Sequence, residues 1–107
     1  MSVSIQNDLN IIVRKIIELL PEAVVYLFGS YAEGTERKDS DIDLCVVTPK
    51  LRGRRMETIY SIRCAISDET EFPIDIKLYT IDEFEKNSNL KPTIQYNIKN
   101  KGLLLNG

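Results

Sequence analysis

The sequence predicts an α/β fold in which a small mixed β-sheet is flanked by helices, because short apolar strand patterns alternate with helical ones along the chain. The first helix is predicted at 5–20, where apolar residues recur every three or four positions and Pro21 ends the pattern. The predicted strands lie at 23–28, 41–47, 74–79 and 103–105. The predicted order is helix, strand, helix, strand, helix, strand, helix, helix, strand.

Local signals mark the later helices. Thr80 and Glu83 form a capping box, which predicts that a helix starts at Ile81. The last helix is predicted to begin near Pro92, since proline is favourable in the first turn of a helix. A helix at 54–67 is also expected from its partly periodic apolar residues.

Size and composition restrict the possible classes of function. With 107 residues the chain is expected to be one domain, 1–107, and its 43% apolar and 28% charged residues are typical of globular proteins. The net charge of −2 provides no basic field that would attract nucleic acid. The chain has no histidine, which excludes His-based zinc sites and Ser-His-Asp triads. Acid–base or metal chemistry would therefore depend on carboxylates.

The sequence also suggests where the protein works. It has no signal-peptide pattern and no apolar run near the ~20 residues that a membrane helix requires. Its two cysteines, Cys45 and Cys64, are expected to be reduced thiols rather than a disulfide framework. We therefore expect a cytoplasmic protein with no membrane partner.

The most informative pattern is the pair Gly29-Ser30, followed after ten residues by Asp41-Ile42-Asp43. Gly29 ends a predicted strand, and because it lacks a Cβ the backbone can turn sharply there and approach a ligand. Ser30 opens a short polar helix whose first amides suit a phosphate. Asp41 and Asp43 lie two residues apart in a predicted strand, so their side chains share one face. Two carboxylates beside a phosphate-type turn predict a site for Mg²⁺ and a nucleoside triphosphate.

A third carboxylate is expected, because displacement reactions at phosphorus commonly use two divalent ions about 3.5–4 Å apart. A further acidic ligand is needed to hold the second ion. Asp75 is the candidate, since it lies on a strand that can pair beside 41–47 and falls on that strand's polar face. Asp68 and Glu71 lie nearby in the sequence and remain alternatives.

The stretches Gly29–Gly34 and Ser40–Leu44 resemble the motif of the minimal nucleotidyltransferases, small members of the DNA polymerase β-like nucleotidyltransferase superfamily. The resemblance extends over nearly the whole chain and implies the polymerase β-like nucleotidyltransferase fold. It implies ATP as substrate and Mg²⁺, as two ions, as cofactor, with Asp75 also a possible general base. The site residues implied by the resemblance are Asp41, Asp43 and Asp75 as catalytic metal ligands, and Gly29 and Ser30 as nucleotide-binding residues.

The resemblance also implies a partner. Minimal nucleotidyltransferases commonly act beside a helical HEPN-domain toxin and move AMP from ATP onto a tyrosine of that toxin, which makes them the antitoxin of the pair. We expect a separate partner to present the acceptor, because 107 residues leave no length for an acceptor-binding domain. Two alternatives stay open: a small-molecule nucleotidyltransferase of the antibiotic-modifying type, and a non-catalytic partner-binding module. No nucleic-acid template is expected.

Two features lie outside this pattern. Glu33 stands where many members of the resembled family carry a basic residue, and a carboxylate there does not favour a phosphate contact. A basic run of four residues is expected to be a solvated loop, with a protein or RNA contact as the alternative: Lys50, Arg52, Arg54 and Arg55.

Overall fold

The computed structural model describes residues 3–90 and 93–106, and the order of its elements is the one that the sequence predicts. Its helices are α1 (Val3–Leu19), α2 (Ser30–Glu33), α3 (Arg55–Ile66), α4 (Ile81–Ser88) and α5 (Ile94–Lys101). Its strands are β1 (Val24–Phe28), β2 (Ile42–Thr48), β3 (Ile74–Thr80) and β4 (Leu103–Leu104). The predicted helix start near Pro92 lies outside the described residues; α5 is described from its N-cap, Thr93, whose hydroxyl accepts a hydrogen bond from the Tyr96 amide.

The strands form one mixed sheet in the order β3-β2-β1-β4. β1 pairs antiparallel with β2 and with β4, whereas β2 and β3 are parallel and are connected through α3. The predicted α/β class with a small mixed sheet is therefore confirmed. The strands that carry Asp43 and Asp75 are direct neighbours.

Helices cover both faces of the sheet. On the first face, α1 and α3 pack on alternate residues of the strands, and these side chains are almost entirely buried: Ile12, Ile16, Val25, Leu27, Leu44, Val46 and Ile62. On the second face, Phe84 of α4 and Ile98 of α5 cover Phe28, Cys45 and Val47. Asp43 and Asp75 belong to this second face by alternation, but they are only half-buried, at the end where β2 and β3 begin.

The start of α4 is fixed by the predicted capping box. The Thr80 hydroxyl accepts a hydrogen bond from the Glu83 amide at 3.2 Å, and Glu83 Oε1 accepts one from the Thr80 amide at 2.8 Å. Tyr79 and Phe84, which flank this box, pack with their ring centroids 6.5 Å apart. Both the capping box and the helix start at Ile81 are thus confirmed.

One strand boundary was wrong in a way that concerns the site. The strand predicted at 41–47 begins at Ile42, so Asp41 lies just before β2 and is exposed. Ile42 donates a hydrogen bond to the Pro73 carbonyl at 2.8 Å, but Pro73 has no N–H with which to continue the parallel ladder. The other predicted bounds within the described residues coincide with the observed ones or differ from them by at most two residues. Within residues 3–90 and 93–106, no helix combines the length and hydropathy needed to cross a membrane.

Candidate active site

Gly29 forms a turn that only glycine adopts readily. Its φ of 73° and ψ of −152° lie outside the regions open to L-residues. A Cβ placed on Gly29 would overlap the Oδ2 atom of Asp43. The backbone therefore passes directly beside this carboxylate, at the end of β1.

Ser30 begins α2 immediately after that turn. Its carbonyl accepts hydrogen bonds from Gly34 and Thr35, and Gly34 ends the helix in the left-handed conformation with φ 75°. A Cβ on Gly34 would meet no atom within 4 Å, so Gly34 serves to terminate the helix rather than to leave room for a close neighbour. Because α2 is only one turn long, its dipole is small, and local amides and the Ser30 hydroxyl are the groups that would meet an anion.

The register of the sheet places Asp43 beside Asp75. In the parallel ladder between β2 and β3, Asp43 aligns with Asp75, and across the antiparallel ladder Asp43 aligns with Phe28, the residue before Gly29. Asp68 and Glu71 are in the segment before β3 and are not in this register. The alignment favours Asp75 over those two acids as the partner of Asp43.

The charges of Asp75 and Asp41 act on the carboxyl group of Asp43. Partial burial raises the pKa of Asp43, and the negative charges of Asp75 and Asp41 raise it further, whereas the positive charge of Lys77 opposes them. The negative charges of Asp75 and Asp41 thus both act on Asp43. Asp41 takes part from its exposed position before the strand.

Lys77 is a neighbour of the site that the sequence prediction omitted. Its Nζ lies 3.6 Å from Asp75 Oδ2, and it shares a face of β3 with Asp75 because the two residues are two positions apart. The same rule of alternation that selected Asp75 would have indicated Lys77.

The donor chemistry of the site fits Mg²⁺, although a finished metal site is not assembled. Asp43 and Asp75 offer aligned hard oxygen ligands, and the close contact at Gly29 holds the Asp43 carboxylate next to the turn. Within the described part of the chain, however, no group of three or more Asp, Glu, Cys or His side chains is arranged to hold a metal ion. The predicted three-ligand set, Asp41, Asp43 and Asp75, stays a prediction.

The structure also shows the surroundings of Glu33 and of the basic run 50–55. Glu33 of α2 pairs with Lys101 of α5, whose Nζ lies 3.8 Å from Glu33 Oε1. The basic run 50–55 follows the C-terminal end of β2, about 17 Å of strand away from Asp43. These basic residues cannot contact a phosphate held at Gly29 and Asp43.

The carboxylates lie on an open rim of the fold. Two cavities, of about 200 and 720 Å³, lie elsewhere: the first beside Arg63 and Phe72, the second between the end of α1 and the start of α3. Neither is lined by Asp43 or Asp75. Both side chains of the Lys77–Asp75 pair are 41% exposed, so a large molecule can approach them.

Comparison with known proteins identifies relatives of this architecture. Residues 9–105 match the family model described as a nucleotidyltransferase domain. Among curated proteins, the chain is similar to the protein adenylyltransferase MntA of Shewanella oneidensis, with 47% identity over 39 residues. That alignment covers 32% of this chain and 28% of the relative, so it spans little more than a quarter of that protein's length.

Solved structures with the same fold include two described as toxin–antitoxin structures. One contains AMP-PNP and is 23% identical, with a TM-score of 0.60 over 92% of this chain and 72% of that chain. The other is a mutant of the toxin–antitoxin MntA-HpeT, 19% identical, with a TM-score of 0.60 over 92% of this chain and 71% of that chain.

A third structure is that of a presumed nucleotidyltransferase from Sulfolobus solfataricus. It is 19% identical, with a TM-score of 0.55 over 97% of this chain and 86% of that chain. At these identities the three structures establish the fold, and the family match, which covers most of the chain, establishes its membership. The resemblance inferred from the Gly29-Ser30 and Asp41-Ile42-Asp43 motifs is confirmed: this chain belongs to the nucleotidyltransferase domain family.

Proposed function

We propose that this chain transfers AMP from ATP to a hydroxyl group of a partner protein, and that the partner is a HEPN-type toxin which the transfer silences. A tyrosine of the toxin is the expected acceptor, and the chain would act as the antitoxin. The observation that carries the proposal is the alignment of Asp43 with Asp75 on neighbouring strands, with the Asp43 carboxylate packed against the Gly29 turn. This arrangement puts acidic oxygens and a phosphate-type turn on one rim of the sheet.

The transfer is an in-line displacement at the α-phosphorus of ATP. The acceptor oxygen forms a bond to the α-phosphorus, and the bond from that phosphorus to the bridging oxygen of the β-phosphate breaks. Pyrophosphate leaves with the electron pair, and the hydroxyl proton passes to a base. Asp75 is the proposed base, since its carboxylate is half-exposed on the edge strand of the sheet, where an acceptor can reach it.

Gly29 and Ser30 would bind the triphosphate. The turn at Gly29 brings the backbone close to the ligand, and the hydroxyl and amide of Ser30 would donate hydrogen bonds to phosphate oxygens. This contact fixes the α-phosphorus relative to Asp43, which lies against the same turn.

Asp41, Asp43 and Asp75 would hold Mg²⁺, with two ions expected. When bound, Mg²⁺ supplies positive charge that offsets the negative charge on the reacting phosphate and on the leaving pyrophosphate. Burial raises the pKa of Asp43 most, and the charges of Asp75 and Asp41 raise it further; a bound cation would offset that repulsion.

The comparisons support the choice of donor and partner. The curated relative is named a protein adenylyltransferase, and two solved structures with this fold are toxin–antitoxin structures, one of them with AMP-PNP. The open position of the carboxylates also suits a protein acceptor better than a small molecule that must be enclosed.

A cytoplasmic location remains a prediction. Both cysteines are free thiols, one buried and one exposed, as expected for a protein in a reducing compartment.

The decisive experiment incubates the purified chain with Mg²⁺ and α-labelled ATP, with and without the protein encoded by the neighbouring gene. We expect label on the partner protein, lost in Asp43→Asn and retained in the matched control Asp68→Asn, which removes an exposed acid outside the register. Asp75→Asn should abolish transfer while ATP binding remains measurable. Mass spectrometry of the labelled partner identifies the modified residue.

Each other outcome points to a different function. Label that appears on a small molecule in place of the partner would indicate a small-molecule nucleotidyltransferase. Full neutralisation of the partner by the double variant Asp41→Ala/Asp43→Ala would indicate that binding rather than catalysis is responsible. Turnover retained in Asp75→Asn would assign the base to another group.

A further inference from the structure

Lys77 projects toward the acidic residues of the candidate site from the same strand as Asp75. In the register of the sheet, Lys77 aligns with Cys45, one step along the shared face from the aligned pair Asp43 and Asp75. Its Nζ lies 3.6 Å from Asp75 Oδ2, and both side chains are 41% exposed. Of the ion pairs in the described part of the chain, this is the one that involves a candidate site acid.

A cation at this position counteracts an unfavourable arrangement. Like charges aligned on neighbouring strands destabilise a sheet, and Asp43 and Asp75 are aligned in that way. The neighbouring position on β2 provides no charge, since Cys45 is fully buried and burial raises the pKa of its thiol to about 12. Lys77 therefore supplies the positive charge on this face of the two strands.

A lysine can also leave such a position. Its ammonium is a compact charge on a flexible four-carbon stem, so the head group can move by several ångströms while the backbone of β3 stays in place. The half-exposed side chain of Lys77 has free solvent around it into which to move.

We propose that Lys77 is a positioning residue that acts as an exchangeable counter-ion. Without nucleotide it pairs with Asp75 and offsets the repulsion between Asp75 and Asp43. When a divalent cation takes its place at Asp75, the ammonium moves to a phosphate oxygen of the bound nucleotide. This inference rests on the proposed function, because it assumes that Asp75 meets both a metal ion and a nucleotide.

The proposal predicts that Lys77→Gln changes the affinities for Mg²⁺ and for ATP in opposite directions. Loss of a neighbouring positive charge should make Mg²⁺ alone bind about three- to tenfold more tightly. Loss of the phosphate contact should make ATP, in saturating Mg²⁺, bind about three- to tenfold more weakly. Both affinities can be measured by isothermal titration calorimetry, with a non-hydrolysable ATP analogue in the second titration. Without metal, the melting temperature should fall by about 2–4 °C.

Two control variants separate this role from a simple change of charge. Lys15→Gln removes a lysine that also pairs with an acid, Glu69 at 3.2 Å, and that is similarly exposed, but on α1, outside the candidate site. It should leave both affinities within twofold of the wild type. Lys77→Arg, which keeps the charge, should restore both.

The outcomes distinguish this inference from the function on which it rests. A lower melting temperature for Lys77→Gln with both affinities unchanged, or with both changed in the same direction, would overturn the exchange. If wild-type protein transfers AMP but Lys77→Gln does not shift the two affinities in opposite directions, the proposed function stands and the inference fails. If the opposite shifts appear but no transfer to any acceptor occurs, the inference stands and the proposed transfer fails. Wild-type protein that binds neither Mg²⁺ nor nucleotide would overturn both.

Discussion

The α-carbon of Gly29 lies against the Asp43 carboxylate, so closely that a Cβ at position 29 would overlap Asp43 Oδ2. This contact joins the two halves of the sequence motif, which are separated by α2 and the loop after it. The turn can keep its path only while residue 29 has no side chain, and Asp43 can keep its position only under the same condition. The phosphate-type turn and the acidic strand therefore form one structural unit.

We expect Gly29→Ala to destabilise the protein by about 1–3 kcal/mol and to abolish nucleotide binding, because the variant adds both backbone strain and a clash with Asp43. Gly34→Ala is the matched control: its φ is also positive, at 75°, but a Cβ there meets no atom within 4 Å. Gly34→Ala should lower the free energy of unfolding by about 1 kcal/mol, because of the left-handed conformation alone, and should leave nucleotide binding intact. Urea unfolding and calorimetry measure both effects; equal loss of binding in the two variants would contradict the role of the Gly29–Asp43 contact.

Asp43→Asn should stabilise the protein in the absence of divalent cations. The pKa of Asp43 is raised in the folded state, first by burial and then by the charges of Asp75 and Asp41. For an acid with a raised pKa, the favourable contribution of the protonated form is present at low pH and is lost as the pH rises through the folded-state pKa. At pH 7 the melting temperature of Asp43→Asn should therefore exceed that of the wild type by about 1–5 °C.

That gain should shrink as the pH falls through the raised folded-state pKa of Asp43, where the wild-type carboxylate takes up its proton. Added Mg²⁺ should raise the melting temperature of the wild type and leave that of Asp43→Asn nearly unchanged. Asp68→Asn, which removes an exposed acid, serves as the control and should show neither effect. A lower metal-free melting temperature for Asp43→Asn would show that the carboxylate is a net stabilising group.

Arg55 and Glu83 connect α3 to the capping box of α4. Arg55 Nη2 donates to both oxygens of Glu83, at 2.5 and 2.6 Å, while Glu83 Oε1 also accepts from the Thr80 amide. The Thr80 amide and then Arg55 lower the pKa of Glu83. We expect Glu83→Ala to destabilise the protein by about 1 kcal/mol at pH 7, measured by urea unfolding.

The sign of the pH dependence follows from the lowered pKa. The stabilising effect of Glu83 is present above its unfolded-state pKa, which is near 4.5, and is lost as the pH falls through the lower folded-state value. The difference between the wild type and Glu83→Ala should therefore narrow below pH 4. Glu85→Ala, an exposed acid on the same helix, should have little effect at either pH. A difference that does not depend on pH would assign the loss to packing rather than to the charged cap.

Asn106 fixes the end of the described chain to β1. Its Oδ1 accepts a hydrogen bond from the Val25 amide at 2.6 Å, and its Nδ2 donates to the Ala23 carbonyl at 2.9 Å. The side chain thus imitates a strand partner beyond β4. We expect Asn106→Ala to cost about 1–3 kcal/mol in urea unfolding, because two partly buried backbone groups lose their partners. Asn100→Ala, on the exposed side of α5, is the control, and an equal cost in both variants would contradict this account.

Most of the architecture could be predicted because its signals are local. The apolar stripe of α1, the alternation in β3 and the Thr80–Glu83 capping box each involve residues a few positions apart. The early start predicted for β2 shows the limit of such signals. Nothing between Asp41 and Val47 indicates that Pro73, the residue just before β3, ends the ladder at Ile42.

The candidate site was predictable in part for the same reason. The motif around Gly29 and Asp43 is visible in the sequence, and alternation places Asp75 on a polar face. Lys77 follows the same alternation, yet its role depends on which strand lies beside β3 and in which register. The pairs Glu33–Lys101 and Arg55–Glu83 join residues 68 and 28 positions apart, and no local pattern predicts them.

By itself, the sequence determined the elements, their order, the glycine turn and the acidic residues that belong to the nucleotidyltransferase pattern. These follow from backbone preferences and side-chain periodicity, which act over a few residues. Only the tertiary structure decided that Asp43 lies in register with Asp75 and against Gly29, and that Lys77 lies beside them. Strand pairing brings these groups together, and that pairing depends on how α1 and α3 pack on one face of the sheet while α4 and α5 pack on the other.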